Sequence, residues 1–155
     1  MKKIIMAIIL FSTTSLCLAD NGFRNVLWGT APEAMKNLTA KIPGSIVDEF
    51  IYSKENDDMK VGDAKAESIL YHFWKNRFFK VSITTNEPLK LMKSCTSKWG
   101  SPKEMTKYRM RWLPNDGDNE IILRINPIEP KAILTIQSDS IDREISKTKA
   151  STEGF

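Results

Sequence analysis

The chain reads as an α+β domain, a curved antiparallel sheet of about six strands with two helices on one face. Three observations predict it. Residues 67–85, ESILYHFWKNRFFKVSITT, are two aromatic and β-branched runs flanking Lys75-Asn76-Arg77, the pattern of a β-hairpin. Two stretches, 31–41 and 87–99, repeat apolar residues at helical spacing. Three short runs after residue 104 alternate as strands do, at 105–113, 120–126 and 132–138.

Taken in order, the first residues, MKKIIMAIILFSTTSLCLA, carry Lys2 and Lys3, an apolar run from Ile4 to Phe11 and a small-residue end. That is a bacterial secretory signal with cleavage after Ala19. Ser12, Thr13 and Thr14 interrupt the run before it reaches the roughly 18 apolar residues of a membrane span. Leu16 stands where lipidation at Cys17 needs a small residue, so a lipoprotein anchor is not expected. Residues 1–19 are thus assigned to the signal, 20–140 to a single α+β domain and 141–155 to a mobile C-terminal tail. The destination is the periplasm or the exterior.

Phe23, Val26, Leu27 and Trp28 suit a short entering strand that ends on Gly29. Thr30 then opens T-A-P-E, where the hydroxyl can cap a first helical turn and Glu33 can reach back. A helix over 31–41 follows, with Ala34, Met35, Leu38 and Ile42 on one face, stopped by Pro43-Gly44. Residues 46–53 read as a strand and 55–65 as a polar loop. In the hairpin a three-residue turn sets Phe73 opposite Phe79, Tyr71 opposite Val81 and Ile69 opposite Ile83, leaving Leu70, His72, Trp74 and Phe78 on the second face. The helix over 87–99 ends at Gly100 with Pro102 beyond it. The order helix, three strands, helix, three strands admits a duplicated α-β-β-β unit. The echo of WGTAPEAM and WGSPKEM does not support it, because Trp28-Gly29 precedes one helix and Trp99-Gly100 ends the other.

Of the 155 residues, 23 are Lys or Arg and 19 are Asp or Glu. Cleavage removes Lys2 and Lys3 and no acid, leaving 21 basic side chains against 19 acidic, a charge of +2. That balance does not mark a nucleic-acid binder, and no integral membrane segment is expected after processing. Cys95 is the only cysteine left in the mature chain. It shares a helical face with Leu91, Met92 and Trp99, which favours a buried hydrophobe; a nucleophile and an intermolecular disulfide are the alternatives.

His72 is the only histidine, so a His-rich metal site is excluded and no metal or cofactor is expected. A Cys95-His72 dyad would be chemically sensible, but it needs the two residues on one face of the sheet. No G-x-S-x-G elbow and no glycine-rich phosphate loop occur. Glu55, Asp57 and Asp58 lack the alternation of a calcium loop and read as solvated. In KYRMRWL, Lys107, Arg109 and Arg111 alternate with Tyr108, Met110 and Trp112, so a strand there turns a basic row outward, with Arg124 joining it. Such a row can grip an acidic partner, a phosphate or an anionic envelope polymer, or pair with neighbours such as Glu120. Trp74 and Phe78, beside Lys75, Arg77 and Lys80, form a recognition tip if exposed; burial beneath the tail or a helix is the alternative.

The opening F-R-x-x-x-W-G (Phe23, Arg24, Trp28, Gly29), the aromatic hairpin and the later K-W-G-x-P (Lys98, Trp99, Gly100, Pro102) resemble small exported bacterial domains. The paired α-β-β-β order is similar to that of β-lactamase-inhibitor-like secreted domains, which implies action by binding another protein. The expected function is an exported, non-enzymatic binding module of the bacterial envelope, acting through Trp74, Arg77, Phe78, Lys107, Arg109 and Arg111 on an envelope protein or anionic component. A small thiol-dependent enzyme and a small-ligand carrier are the alternatives.

Overall fold

Twelve strands and two α-helices lie along residues 21–114 and 117–152, the part of the chain that the computed structural model describes. In order they are β1 (Gly22–Phe23), β2 (Val26–Leu27), β3 (Leu38–Pro43), β4 (Glu49–Lys54), β5 (Lys60–Val61), β6 (Ala64–Lys65), β7 (Ser68–Trp74), β8 (Arg77–Thr85), α1 (Pro88–Trp99), β9 (Glu104–Met105), β10 (Arg109–Trp112), β11 (Asn119–Ile125), β12 (Ala132–Ser138) and α2 (Asp139–Thr152). The export signal read at 1–19 and residues 153–155 of the expected tail lie outside the described residues.

Alternation in the hairpin builds the centre of the sheet. Ile69 faces Ile83 and Tyr71 faces Val81, the ladder that the sequence predicts. The tip differs from the expected three-residue turn. Lys75 and Asn76, both at positive φ (49° and 59°), form a two-residue turn that pairs Trp74 with Arg77. Phe79 is then the surplus residue between the pairs Phe73↔Phe78 and His72↔Lys80, a β-bulge. A two-residue turn plus one bulged residue reaches the same register as a three-residue turn, which is why the ladder beyond it agrees. The bulge sends Phe78 and Phe79 into different cores, and both are fully buried.

The main sheet has eight strands in the order β3-β4-β7-β8-β12-β11-β10-β9, with antiparallel pairing throughout and edges at β3 and β9. It is therefore larger than the six strands expected, and not a closed barrel. Two four-strand meanders meet at β8–β12, and each is followed by a helix. Four strands and a helix, twice, replace the expected order of a helix and three strands.

The helix expected over 31–41 reduces to a single 3₁₀ turn, Pro32–Ala34. Asn37 and Ala40 adopt positive φ (63° and 54°), and the Thr30 hydroxyl donates back to the Leu27 carbonyl instead of capping the amides ahead. Of the proposed stripe only Met35 is buried, whereas pairing with β4 satisfies the backbone of β3. Sheet pairing outweighs a short run of helical spacing, because an isolated three-turn helix is marginal in water.

The expected tail is likewise a helix. Asp118 and Ser138 accept the amides of Ser140 and Ile141 at the start of α2, and Ile141 and Ile145, one turn apart, pack on Trp74 and Phe79. The two helices thus lie on opposite faces of the sheet, not on one. α1 buries Leu91 and Cys95 against the aliphatic face of Tyr71, Val81, Ile83 and Leu134, whereas α2 closes the small aromatic patch that the bulge creates on the other. At the α1 side, Gly100 follows the helix at φ 74° and donates its N–H to Thr96, the glycine stop that the sequence announces.

The N-terminal hairpin β1–β2 is pinned over the first face. Phe23 meets Tyr71 edge-on at 6.1 Å, and Asp57 accepts both Arg24 Nη1 (2.8 Å) and the Tyr71 hydroxyl (2.7 Å). Part of the acidic loop is therefore a structural clamp. A Cβ at Gly22 would run into the Val26 carbonyl, so only glycine fits that position.

Candidate functional site

The face of the sheet away from α1 carries many of its polar side chains, and α2 packs on it at Trp74 and Phe79. On a strand every second residue shares a face. This second face accordingly carries His72, Lys80, Ser82, Glu120, Arg111, Arg124 and their cross-strand neighbours. Two constellations stand out.

The first crosses β4, β7 and β8 diagonally. Glu49 Oε1 lies 2.8 Å from His72 Nδ1 and 3.2 Å from Lys80 Nζ, and its Oε2 accepts the Ile46 amide at 3.1 Å. His72 Nε2 lies 2.9 Å from the Ser82 hydroxyl. Glu49 is 3% exposed and His72 7%, whereas Ser82 is only partly buried. Burial works to raise the Glu49 pKa, but the bonds from His72 and Lys80 and the lysine's charge outweigh it and hold the carboxyl at about 2. Burial lowers the His72 pKa; the bond to Glu49 opposes this and the Lys80 charge reinforces it, so the ring is neutral at pH 7. The tight bend before β4 makes room for the carboxylate: a Cβ at Gly44 would collide with the Glu49 side chain.

The second constellation is the basic corner. Arg109 and Arg124 stand directly opposite each other on β10 and β11. Arg111 is neutralised by Glu120 at 2.5 Å and Glu104 at 2.6 Å. Arg109 has only a 3.3 Å contact with the same Glu104, and Arg124 is exposed and makes no ion pair among the described residues. Ile133, 45% exposed, lies opposite Arg124 on β12. Lys107 is not in the row; it sits in the bend between β9 and β10 with its ammonium 5.1 Å from the Tyr108 ring.

The expected hairpin tip is otherwise occupied. Trp74 is 3% exposed, with its indole N–H donated to the Val47 carbonyl and Arg77 stacked 5.2 Å above its ring. Arg77 in turn grips Glu144 of α2 at 2.6 Å. Phe78 is 0% exposed and packs 4.9 Å from Trp28, on the first face and not the second. The second of the two weighed outcomes, burial beneath a helix, describes Trp74. Beside it, a cleft of about 400 Å³ opens between the turn preceding β4 and α2, walled by Ile46, Val47, Trp74 and Ile145, with Lys75 and Lys149 at its rim.

Cys95 is 2% exposed, and burial pushes its thiol up to about 12. It lies on the inner side of α1, across the sheet from His72, so the dyad is not assembled. Among the described residues no three His, Cys, Asp or Glu side chains stand close enough to hold a metal ion, and no helix is long and apolar enough to cross a membrane.

Sequence reasoning missed Glu49 and Ser82. A signal for Glu49 was present: a carboxylate inside the strand EFIY and a lysine inside RFFKVSI are charges in segments that become buried, and buried charges need partners. Comparison with protein-family models, with curated proteins and with solved structures finds no match for the chain.

Proposed function

We propose that the chain is an exported recognition module of the bacterial envelope, which holds an acidic surface of a partner protein at the corner formed by Arg109 and Arg124. The observation that carries this reading is their cross-strand pairing. Like charges directly opposite on neighbouring strands are destabilising, and Glu104 is already engaged by Arg111. A carboxylate of the partner would relieve the repulsion and accept a bidentate guanidinium contact. Ile133 beside the arginines adds the apolar contact typical of protein interfaces. In this reading Arg111 draws Glu104 away from Arg109, Lys107 adds positive charge from the neighbouring bend, and Trp74, Arg77 and Phe78 act from beneath by fixing the hairpin and α2. The export signal and the resemblance to small exported domains agree with an envelope location.

The test uses the immobilised mature chain in an envelope extract. The double variant Arg109→Glu/Arg124→Glu is expected to release partners that the wild type retains, with the retained set shrinking as salt rises. Retention of every partner by the variant would defeat the reading. The cleft beside Trp74 supports a second reading, a carrier of a small apolar-tailed ligand, because its volume falls in the range of ligand sites. Native mass spectrometry of protein purified from its own cell, showing one bound small molecule per chain, would favour it.

A further inference from the structure

The diagonal Glu49–His72–Ser82 has a fixed proton order. An ionised carboxylate only accepts hydrogen bonds, so the hydrogen that bridges Glu49 Oε1 and His72 Nδ1 belongs to the ring. The neutral imidazole has one hydrogen, which leaves a lone pair on Nε2. The Ser82 hydroxyl must therefore be the donor in its 2.9 Å contact with His72. Lys80 supplies the countercharge for Glu49, so the ring need not be cationic to balance it. Nucleophile, base and orienting carboxylate stand in the sequence that activates a serine hydroxyl.

We propose that Ser82 is an acyl-accepting nucleophile, with His72 as its base, Glu49 as the residue that positions the imidazole, and activated esters as the substrate class. In the step, Ser82 Oγ bonds to the ester carbonyl carbon as its proton passes to His72 Nε2. The bond from carbon to the leaving oxygen then breaks, and His72 returns the proton to that oxygen. Ester plus serine become acyl-serine plus alcohol, and water attacking through the same base releases the acid and restores the hydroxyl.

The surroundings specify the rest. Leu70 and Thr135 lie directly opposite Ser82 on its two neighbouring strands, and Ile122 lies beyond Thr135. Leu70 and Ile122 give the acyl chain an apolar bed, and the Thr135 hydroxyl is the cross-strand donor for the carbonyl oxygen, since opposed Cβ atoms are about 5 Å apart. Ser82 is paired with both β7 and β12, so the amides of β8 serve the sheet ladders and do not form the usual pair of oxyanion donors. Acylation and hydrolysis of the adduct are therefore both slow. The inference is independent of the arginine corner, and either can fail alone.

The experiment treats the folded mature chain with a fluorophosphonate and, in parallel, with 4-nitrophenyl acetate, and maps the adducts by peptide mass spectrometry. One adduct per chain on Ser82 is expected, absent from Ser82→Ala. The conservative His72→Gln is expected to slow labelling by about 10²-fold or more, the size of a general-base contribution. Glu49→Gln is expected to slow it less. The rate should fall once pH drops far enough for the ring to take a proton, which its burial and the Lys80 charge shift below the ordinary imidazole range. The charged groups facing that ring are Glu49 from β4 and Lys80 from β8; Lys80 in turn interacts with Asp142 of α2, which also feels Glu120 of β11. Should His72→Gln fail to fold, Ser82→Cys keeps the question open to measurement: its thiol should be alkylated by iodoacetamide with the same acid-limb profile. The proposal is overturned if folded protein carries no adduct on Ser82, if label spreads over several serines, or if a folded His72→Gln is labelled as fast as the wild type.

Discussion

The two faces of the sheet solve different problems. Beneath α1, Ile83, Leu134, Ile136 and Leu123 are 0% exposed, and apolar packing needs no partner geometry. On the other face His72, Glu49, Glu120 and Gln137 are nearly as deeply buried, yet each is held by a named hydrogen bond or ion pair. Among the described residues no buried side-chain nitrogen or oxygen lacks a partner. The first face tolerates shape-conserving exchange; the second depends on charge and proton placement. Chemistry needs polar groups with fixed neighbours, so the polar face is the place to look for function.

Breaking this contrast begins with its largest effect. Phe73→Ala removes a ring from the first core and should cost about 3–5 kcal/mol in urea unfolding, the range for large aromatic truncations. Cys95 should stay unlabelled by a thiol reagent until the chain unfolds, since the protonated, covered thiol is unreactive. Ile145→Ala, one of the two α2 anchors, should cost about 2 kcal/mol. Its signature should be local: hydrogen exchange in α2 accelerating more than in β8, because a helix held by few contacts opens on its own.

The pH response sharpens the difference next. His72 is neutral in the fold and has its pKa lowered from 6.5, so its contribution to stability is complete above pH 6.5 and is lost as pH falls below it. Glu49 is lowered from 4.5 to about 2, so its contribution is complete above pH 4.5 and is lost as pH falls from there toward 2. Urea midpoints measured from pH 8 to pH 3 should thus decline below 6.5 and more steeply below 4.5. His72→Gln should abolish the upper limb and also weaken the lower one, because the bond from His72 helps to hold Glu49 ionised. The smallest expected effect is at the arginine corner, where Arg124→Ala should leave stability unchanged or raise it by a few tenths of a kcal/mol by removing the like-charge pair. A loss of more than 1 kcal/mol there would mean that the guanidinium has a structural role.

What the sequence revealed depended on whether a signal was local. The hairpin ladder, α1 and its glycine stop, and strands β11 and β12 follow from alternation, spacing and turn chemistry within a dozen residues. The helix expected over 31–41 did not form, because pairing with β4 is a non-local competitor that spacing cannot register. The tail from 141 was underestimated for the same reason. Two isoleucines are few for a helix until Trp74 and Phe79 present a surface for them. The site divides likewise. Arg109, Arg111 and Arg124 were readable as one basic face from period-two alternation, whereas the meeting of Glu49, His72 and Ser82 needs three strands aligned on a diagonal.

The bulged residue Phe79 makes the hairpin answerable to both layers at once. Without it, strict parity would assign every odd position of β8 to a single layer. Deleting that one codon should close the ladder, with Phe78 and Lys80 directly consecutive opposite Phe73 and His72: every remaining side chain keeps its layer, and only the aromatic seat of the last helix loses its ring.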